Sequence, residues 1–157
     1  MLLANTLKQV VLRTCPDWLL LRLRKHHYVR KLAAAPSEPE MYVVRHLVPV
    51  GGSALDVGAN FGLYTRLLSE LVGPTGHVHS VEPIPSTFAV LANNVQALKL
   101  ANVQLHHCAL SDTEGEVLMT VPQYASGGAN FYEARITSEG SGVRVPCRTL
   151  DSLFAAL

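Results

Sequence analysis

Hydrophobic positions along this chain switch repeatedly between strand spacing and helix spacing. Three short apolar runs predict strands at 54–57, 77–81 and 103–109. Leucines three and four residues apart predict a helix at 61–72. Pro85 suits the first turn of a second helix that continues to residue 98 and is predicted to point Phe88, Leu91, Val95 and Leu98 inward. Because each connection is long enough for a helical crossover, the strands are predicted to be parallel, with right-handed connections.

The pattern changes after residue 110, where short segments alternate between hydrophobic and polar residues and are separated by turn residues. The predicted elements are a turn at 112–115, strands at 116–121, 129–133 and 143–147, and a helix that begins near residue 149. This pattern is typical of antiparallel strands added to a parallel core. We therefore expect an α/β fold with a doubly wound, mostly parallel Rossmann-like sheet, antiparallel additions and an N-terminal helical segment.

Residues 5–33 are predicted to be helical, with Pro16 dividing them into two pieces. A linker with two prolines follows, so we divide the chain into a basic N-terminal segment, 1–39, and a main domain, 40–157. The second helical piece mixes apolar and basic residues. It could lie on an anionic membrane, dock on a partner, or pack on its own domain; its apolar positions form no clean stripe, which favours the last alternative.

Composition fits one globular domain, since 48% of the 157 residues are hydrophobic and 16% are charged. The net charge of +1 conceals an asymmetry. Up to Lys31 there are seven basic residues and one acid, whereas the remainder carries six basic residues and eleven acids. A uniformly basic surface on the main domain is thereby excluded, and we expect no nucleic-acid partner.

The three cysteines, Cys15, Cys108 and Cys147, are too widely spaced to predict a zinc site or a disulfide framework. Metal dependence is not expected either, because the adjacent His106 and His107 would point to opposite faces of a strand. No apolar run is long enough to span a bilayer, and polar residues interrupt any signal-peptide core. We expect a cytoplasmic protein.

The most informative stretch is 53–62, a short strand that ends on Asp56 and breaks into a turn containing Gly58 and Asn60. A helix begins directly after it, and Glu82 ends the next strand. In α/β proteins such a helix start presents backbone N–H groups to a ligand, while an acid on the following strand accepts hydrogen bonds from a ribose diol. The alternative is a plain structural turn with an incidental acid. The ordered sequence of features favours an adenosine-bearing ligand.

Two classes of ligand use this architecture. Dinucleotides usually meet a G-x-G-x-x-G turn, where the pyrophosphate approaches closely. Here Asn60 holds the middle position, and Asp56 would repel a pyrophosphate. A carboxylate there suits S-adenosylmethionine, whose amino-acid end carries an ammonium group. An NAD-dependent oxidoreductase remains the less favoured alternative.

Several motifs together resemble the FkbM family of class I methyltransferases, over roughly residues 40–157. They are Leu55-Asp56-Val57-Gly58-Ala59-Asn60-Phe61-Gly62-Leu63-Tyr64, Val81-Glu82-Pro83-Ile84-Pro85, Asn93-Asn94-Val95, Ala109-Leu110-Ser111-Asp112 with Gly115, and Arg148-Thr149-Leu150-Asp151-Ser152-Leu153.

The resemblance implies an S-adenosylmethionine-dependent methyltransferase that acts on oxygen of a small hydroxylated acceptor, such as a sugar or a polyketide. Carried over by position, Asp56, Gly58 and Asn60 would line the methionine end of the cofactor, and Glu82 would bind the ribose hydroxyls. The turn from Ala109 to Asp112 would lie against the adenine, with Asp112 as a partner for its amino group.

The family pattern continues with a strand that ends in an Asp-x-Glu-Gly-like motif near the transferred methyl group, and this sequence stops before it. We therefore expect a fragment, a truncated product, or a chain that completes its sheet by pairing with a partner, such as a second copy in an oligomer. A non-catalytic, methyltransferase-like binding domain is the alternative function.

The catalytic base is not identified. The histidines at 79, 106 and 107 are candidates for deprotonating an alcohol, or they could simply pack at strand edges. Residues 124–132 could contact the acceptor, or form an ordinary hairpin connection.

Overall fold

The computed structural model describes residues 15–124 and 129–155, which form an α/β fold. The helices are α1 (Asp17–Ala33), α2 (Glu40–Leu47), α3 (Leu63–Val72), α4 (Pro85–Ala97) and α5 (Leu150–Ala155). The strands are β1 (Ser53–Val57), β2 (His77–Val81), β3 (Val103–His106), β4 (Ala109–Leu110), β5 (Gly115–Thr120), β6 (Arg135–Thr137) and β7 (Val143–Arg148). The first predicted helical piece, at 5–14, and the glycine pair at 127–128 lie outside the described residues.

Three strands form a parallel sheet in the order β1-β2-β3. The register pairs Asp56 with Ser80 and Val81 with His106, so the carboxyl ends of the strands lie side by side. This confirms the predicted parallel core. It also brings the ends of β1 and β2, which carry Asp56 and Glu82, to the same edge of the sheet.

The later strands form a second, mixed sheet in the order β4-β7-β5-β6. Strand β7 runs parallel to β4 and antiparallel to β5, and β6 is antiparallel to β5. The antiparallel additions are therefore confirmed, although they form a sheet of their own.

Two strand predictions were wrong in detail. The run at 103–109 is divided between two sheets, because pairing to β2 ends at His106 and the chain joins β7 only from Ala109. The expected strand at 129–133 contains the 3-10 helix Phe131–Glu133, in which the Glu133 amide donates to the carbonyl of Asn130. The strand follows instead as β6.

Helices cover the parallel sheet on both faces. On one face Leu68 and Val72 of α3 pack on Val78, with Val44 of α2 beside them. On the other face Leu153 of α5 packs against Val81 in a separate cluster. Doubly wound packing of the predicted kind is thus present.

Helix α4 buries a different face from the predicted one. Phe88, Leu91, Val95 and Leu98 were expected to point inward, but only Leu91 is fully buried. The other buried residues of the helix are Thr87, Val90 and Asn94. The helix contacts α1, and the Asn94 side-chain amide donates to the carbonyl of Phe61. These contacts explain why a polar residue occupies the inner face.

Helix α1 packs on the domain through its last two turns, where Leu32 is buried and the Tyr28 ring stacks on Phe61. Near its beginning, Trp18 and Leu23 are exposed. Within residues 15–124 and 129–155, no helix combines the length and apolar character needed to cross a membrane.

Candidate functional site

The turn between β1 and α3 has an unusual backbone. Gly58, Asn60 and Gly62 have φ values of +74°, +51° and +94°. Glycine adopts these angles without strain, and asparagine is among the few other residues that tolerate them. A Cβ on Gly58 would meet nothing within 4 Å, so open space adjoins this residue.

Hydrogen bonds from the turn amides fix the turn to the end of β2. The Asn60 amide donates to Glu82 Oε2 at 2.9 Å. The Gly58 and Ala59 amides donate to the Val81 carbonyl, and the Gly62 amide donates to the Ala59 carbonyl. The expectation that these turn amides face a ligand was therefore wrong for these four. A bound diphosphate could not accept hydrogen bonds from these amides, because they already donate to oxygen atoms of the protein.

Glu82 is 5% exposed, and each of its carboxylate oxygens accepts one backbone hydrogen bond, Oε1 from Ile84 and Oε2 from Asn60, both at 2.9 Å. A carboxylate oxygen can accept a second bond, so both oxygens keep capacity for a ligand diol. Burial raises the pKa of Glu82, the two amides oppose this shift, and the charge of Asp56 adds to it.

Asp56 lies near the end of β1 and accepts a 2.6 Å hydrogen bond from the hydroxyl of Thr65, on α3. The Thr65 hydroxyl also lies 3.0 Å from that of Ser80. Burial raises the pKa of Asp56, and the hydrogen bonds from Thr65 partly offset that effect. The site therefore holds a carboxylate that gains from a cationic ligand.

Asp56, Gly58, Asn60 and Glu82 line one cavity of about 450 Å³, a volume within the usual range for small-molecule sites. Asn60 has a buried side-chain oxygen with no hydrogen-bond partner in the described part of the chain. Buried acceptors are normally satisfied, so a ligand donor would fit here. Two carboxylates and a free amide oxygen suit an ammonium group and a ribose diol.

The other two predicted site residues do not line this cavity. Ala109 is 4% exposed and belongs to the core between the mixed sheet and Ile84. Asp112 is exposed, and its Oδ1 accepts a 3.0 Å hydrogen bond from the Ser111 hydroxyl. Their proposed contacts with adenine stay predictions.

The sequence did not predict that a group of aromatic side chains, Tyr28, Phe61 and Phe131, would line the cavity. The Tyr28 and Phe61 rings stack with centroids 3.7 Å apart, and Phe131 meets Phe61 edge-on at 6.0 Å. Burial, followed by the neighbouring Tyr132, raises the pKa of Tyr28 to about 12, so its phenol stays protonated. The spacing of Tyr28 and Leu32, four residues apart on one helix face, was the available signal.

The candidate bases lie elsewhere. His79 Nδ1 and His106 Nε2 are 3.2 Å apart, on the sheet face where His79 also contacts Phe154 of α5. Burial lowers the pKa of both rings. His107 stacks on Phe88. None of the three lines the cavity that holds Asp56.

In the parts of the chain that the structure describes, no three His, Cys, Asp or Glu side chains are grouped to hold a metal ion. All three cysteines are free, and Cys108 and Cys147 are buried.

Comparison with known proteins gives matches to methyltransferases. The protein-L-isoaspartate O-methyltransferases of Methanothrix thermoacetophila and Ignicoccus hospitalis are each 38% identical to this chain, over 55 and 53 residues. These matches cover 35% and 34% of this chain, and 26% and 25% of the relatives. The chain thus spans about a quarter of the length of the curated relatives it matches.

Among solved structures, a SAM-dependent methyltransferase from Aquifex aeolicus matches with 26% identity and a TM-score of 0.42, over 50% of this chain and 44% of that one. The domain described as "Methyltransferase FkbM domain" matches residues 56–157, which is more than half of the chain. The chain belongs to the FkbM methyltransferase family.

Proposed function

We propose that this chain is an S-adenosylmethionine-dependent methyltransferase domain that acts on oxygen of a small hydroxylated acceptor, such as a sugar or a polyketide. The observation that carries the proposal is the pairing of Asp56 and Glu82. They come from the ends of neighbouring parallel strands and line one cavity of about 450 Å³ in a chain of the FkbM family.

The cofactor's two ends would use different carboxylates. Asp56 would bind the ammonium group of the aminoacyl end, with the Asn60 side-chain oxygen as a second acceptor. Glu82 would accept hydrogen bonds from both ribose hydroxyls while its backbone partners hold its orientation. Charge-assisted hydrogen bonds of this kind are about twice as strong as neutral ones.

When bound, S-adenosylmethionine would supply a methyl group already activated by its sulfonium. The protein's task is then to hold the acceptor oxygen in line with that methyl group and to exclude water. The ring stack of Tyr28 on Phe61, with Phe131 beside it, would shield the cavity from solvent. The base that takes the acceptor's proton is not assigned.

The first test is calorimetric binding of S-adenosylhomocysteine, compared with NAD. Asp56→Ala should weaken S-adenosylhomocysteine binding by roughly 1.5–3 kcal/mol, the scale of a hydrogen bond to a charged group, and Glu82→Ala should have a comparable effect. Glu139→Ala, at an exposed acid outside the cavity, is the control and should leave affinity unchanged. Tight NAD binding without a response to S-adenosylhomocysteine would reject the proposal.

Transfer is a separate question from binding. Release of methyl-labelled product from the chain, on a panel of sugar and polyketide hydroxyl compounds, would support catalysis and reject the non-catalytic alternative. Binding that persists without transfer to any member of the panel would favour the binding-domain interpretation.

A further inference from the structure

We propose that Lys31, on helix α1, binds the carboxylate of the cofactor's aminoacyl end. Helix α1 lies outside the family-matched residues 56–157, and it would nevertheless form part of the cofactor site. This inference rests on the proposed function, since it assumes that the cavity takes S-adenosylmethionine or its product.

The position of Lys31 follows from a chain of ring contacts. Its Nζ lies 5.9 Å from the centroid of the Tyr28 ring, and that ring stacks on Phe61 at 3.7 Å. Phe61 directly follows Asn60 of the turn. The last turns of α1 are thereby held over the turn, and Lys31 lines the same cavity as Asp56.

Contacts around Tyr64 place Lys31's end of α1 near Asp56. The Tyr64 hydroxyl donates to Glu38 Oε2 at 3.2 Å, and Glu38 lies in the segment that leaves α1. Glu38 and Tyr64 line the same cavity as Lys31 and Asp56. The end of α1 and the methionine end of the predicted site therefore adjoin.

The charges that line the cavity also favour this role for Lys31. Three acids line the cavity, Glu38, Asp56 and Glu82, and Lys31 is the one basic residue among the described residues that line it. The aminoacyl end of the cofactor is a zwitterion. Its ammonium group suits Asp56, whereas its carboxylate would be repelled by the acids unless a cation lies beside it. A long, flexible and exposed lysine can reach such a carboxylate at the rim.

The test compares two ligands that differ only at this end. S-adenosylhomocysteine carries the aminoacyl tail, whereas 5′-methylthioadenosine shares the nucleoside and thioether but lacks that tail. Lys31→Met should weaken S-adenosylhomocysteine binding about fivefold, the upper end of what an exposed ion pair contributes, and should leave 5′-methylthioadenosine affinity unchanged. Lys31→Arg should retain most of the affinity. Arg30→Met, at the adjacent exposed position outside the cavity, is the matched control and should bind both ligands as wild type.

The outcomes separate the two proposals. A wild-type chain that binds no S-adenosylhomocysteine overturns the proposed function, and this inference with it. A wild-type chain that binds it, together with a Lys31→Met variant of equal affinity, overturns only the role of Lys31. Equal losses for both ligands would also overturn that role, because they would indicate a structural effect rather than recognition of the tail.

Discussion

In the proposed cofactor site, Asp56 would favour binding at the expense of folding. Burial raises its pKa, and its hydrogen-bond donor is the neutral hydroxyl of Thr65. A carboxyl group whose pKa is higher in the folded state stabilises the fold fully below its unfolded pKa, and this contribution is lost as pH rises through the folded pKa. At neutral pH the ionised Asp56 is therefore a cost to the unliganded protein. Glu82, whose pKa burial also raises, acts in the same direction.

A substitution that removes the charge but keeps the shape should expose this conflict. Asp56→Asn should raise the Tm of the unliganded protein at neutral pH by roughly 2–4 °C, corresponding to about 1 kcal/mol, and weaken S-adenosylhomocysteine binding. The gain in Tm over wild type should shrink as pH falls, because wild-type Asp56 then becomes protonated. Thermal melts at neutral and acidic pH measure both effects. A lower Tm for the variant at neutral pH would contradict the argument.

At the scale of elements, the start of α3 fits closely against α4. Gly62 has a φ of +94°, and a Cβ there would lie 2.7 Å from Cδ1 of the fully buried Leu91. Gly140 has nearly the same φ, +92°, with nothing within 4 Å of its Cβ position. The two glycines thus share a backbone requirement but differ in packing.

Alanine substitutions at Gly62 and Gly140 separate the cost of backbone strain from the cost of overpacking. Gly140→Ala should cost about 1–2 kcal/mol, the penalty for a side chain in left-handed conformation. Gly62→Ala should cost about 1–3 kcal/mol more, because Leu91 must move or α4 must shift. Urea unfolding of both variants measures the free energies of unfolding. Equal losses in the two variants would show that the contact with Leu91 is unimportant.

The local sequence pattern was enough to predict the features of the site that depend on residues close together in the chain. The strand, turn and second acid identified Asp56, Gly58, Asn60 and Glu82, and the structure brings all four to one cavity. Strand β6 was missed because three exposed or half-buried residues carry no alternation that distinguishes them from a loop.

Contacts between distant segments were not predictable in this way. Tyr28 and Lys31 reach the cavity only because α1 folds back over the turn, and nothing in their own neighbourhood indicates that path. The buried face of α4 was mispredicted for a similar reason, since its partner is α1 and Asn94 is needed there for its bond to Phe61.

At the scale of the molecule, segments far apart in sequence close one cavity. The guanidinium of Arg24, on α1, lies 5.0 Å from the centroid of the Phe131 ring, and Tyr28 stacks on Phe61. Helix α1, the turn and the 3-10 helix therefore meet through aromatic rings and the Arg24 guanidinium.

Hydrogen exchange can test whether these segments respond as a unit. Saturation with S-adenosylhomocysteine at one hundred times its Kd should slow amide exchange in the turn, in the last two turns of α1 and in residues 131–133. The slowing should reach about a hundredfold where opening abolishes binding, equivalent to about 2.7 kcal/mol. Amides of α2, whose residues 42 and 43 are exposed, are an internal control. Protection confined to the turn would show that α1 does not take part in the site.

The bonds from the turn amides to Val81 and Glu82 carry one more consequence. They preorganise the floor of the cavity, because the entropy lost in ordering that turn is a cost of folding rather than of association. Among the residues that the structure describes, no backbone hydrogen bond joins α1 to this turn. We therefore expect a rigid surface to select the ribose and the ammonium group, while the tail carboxylate and the acceptor meet a more adjustable surface formed by α1.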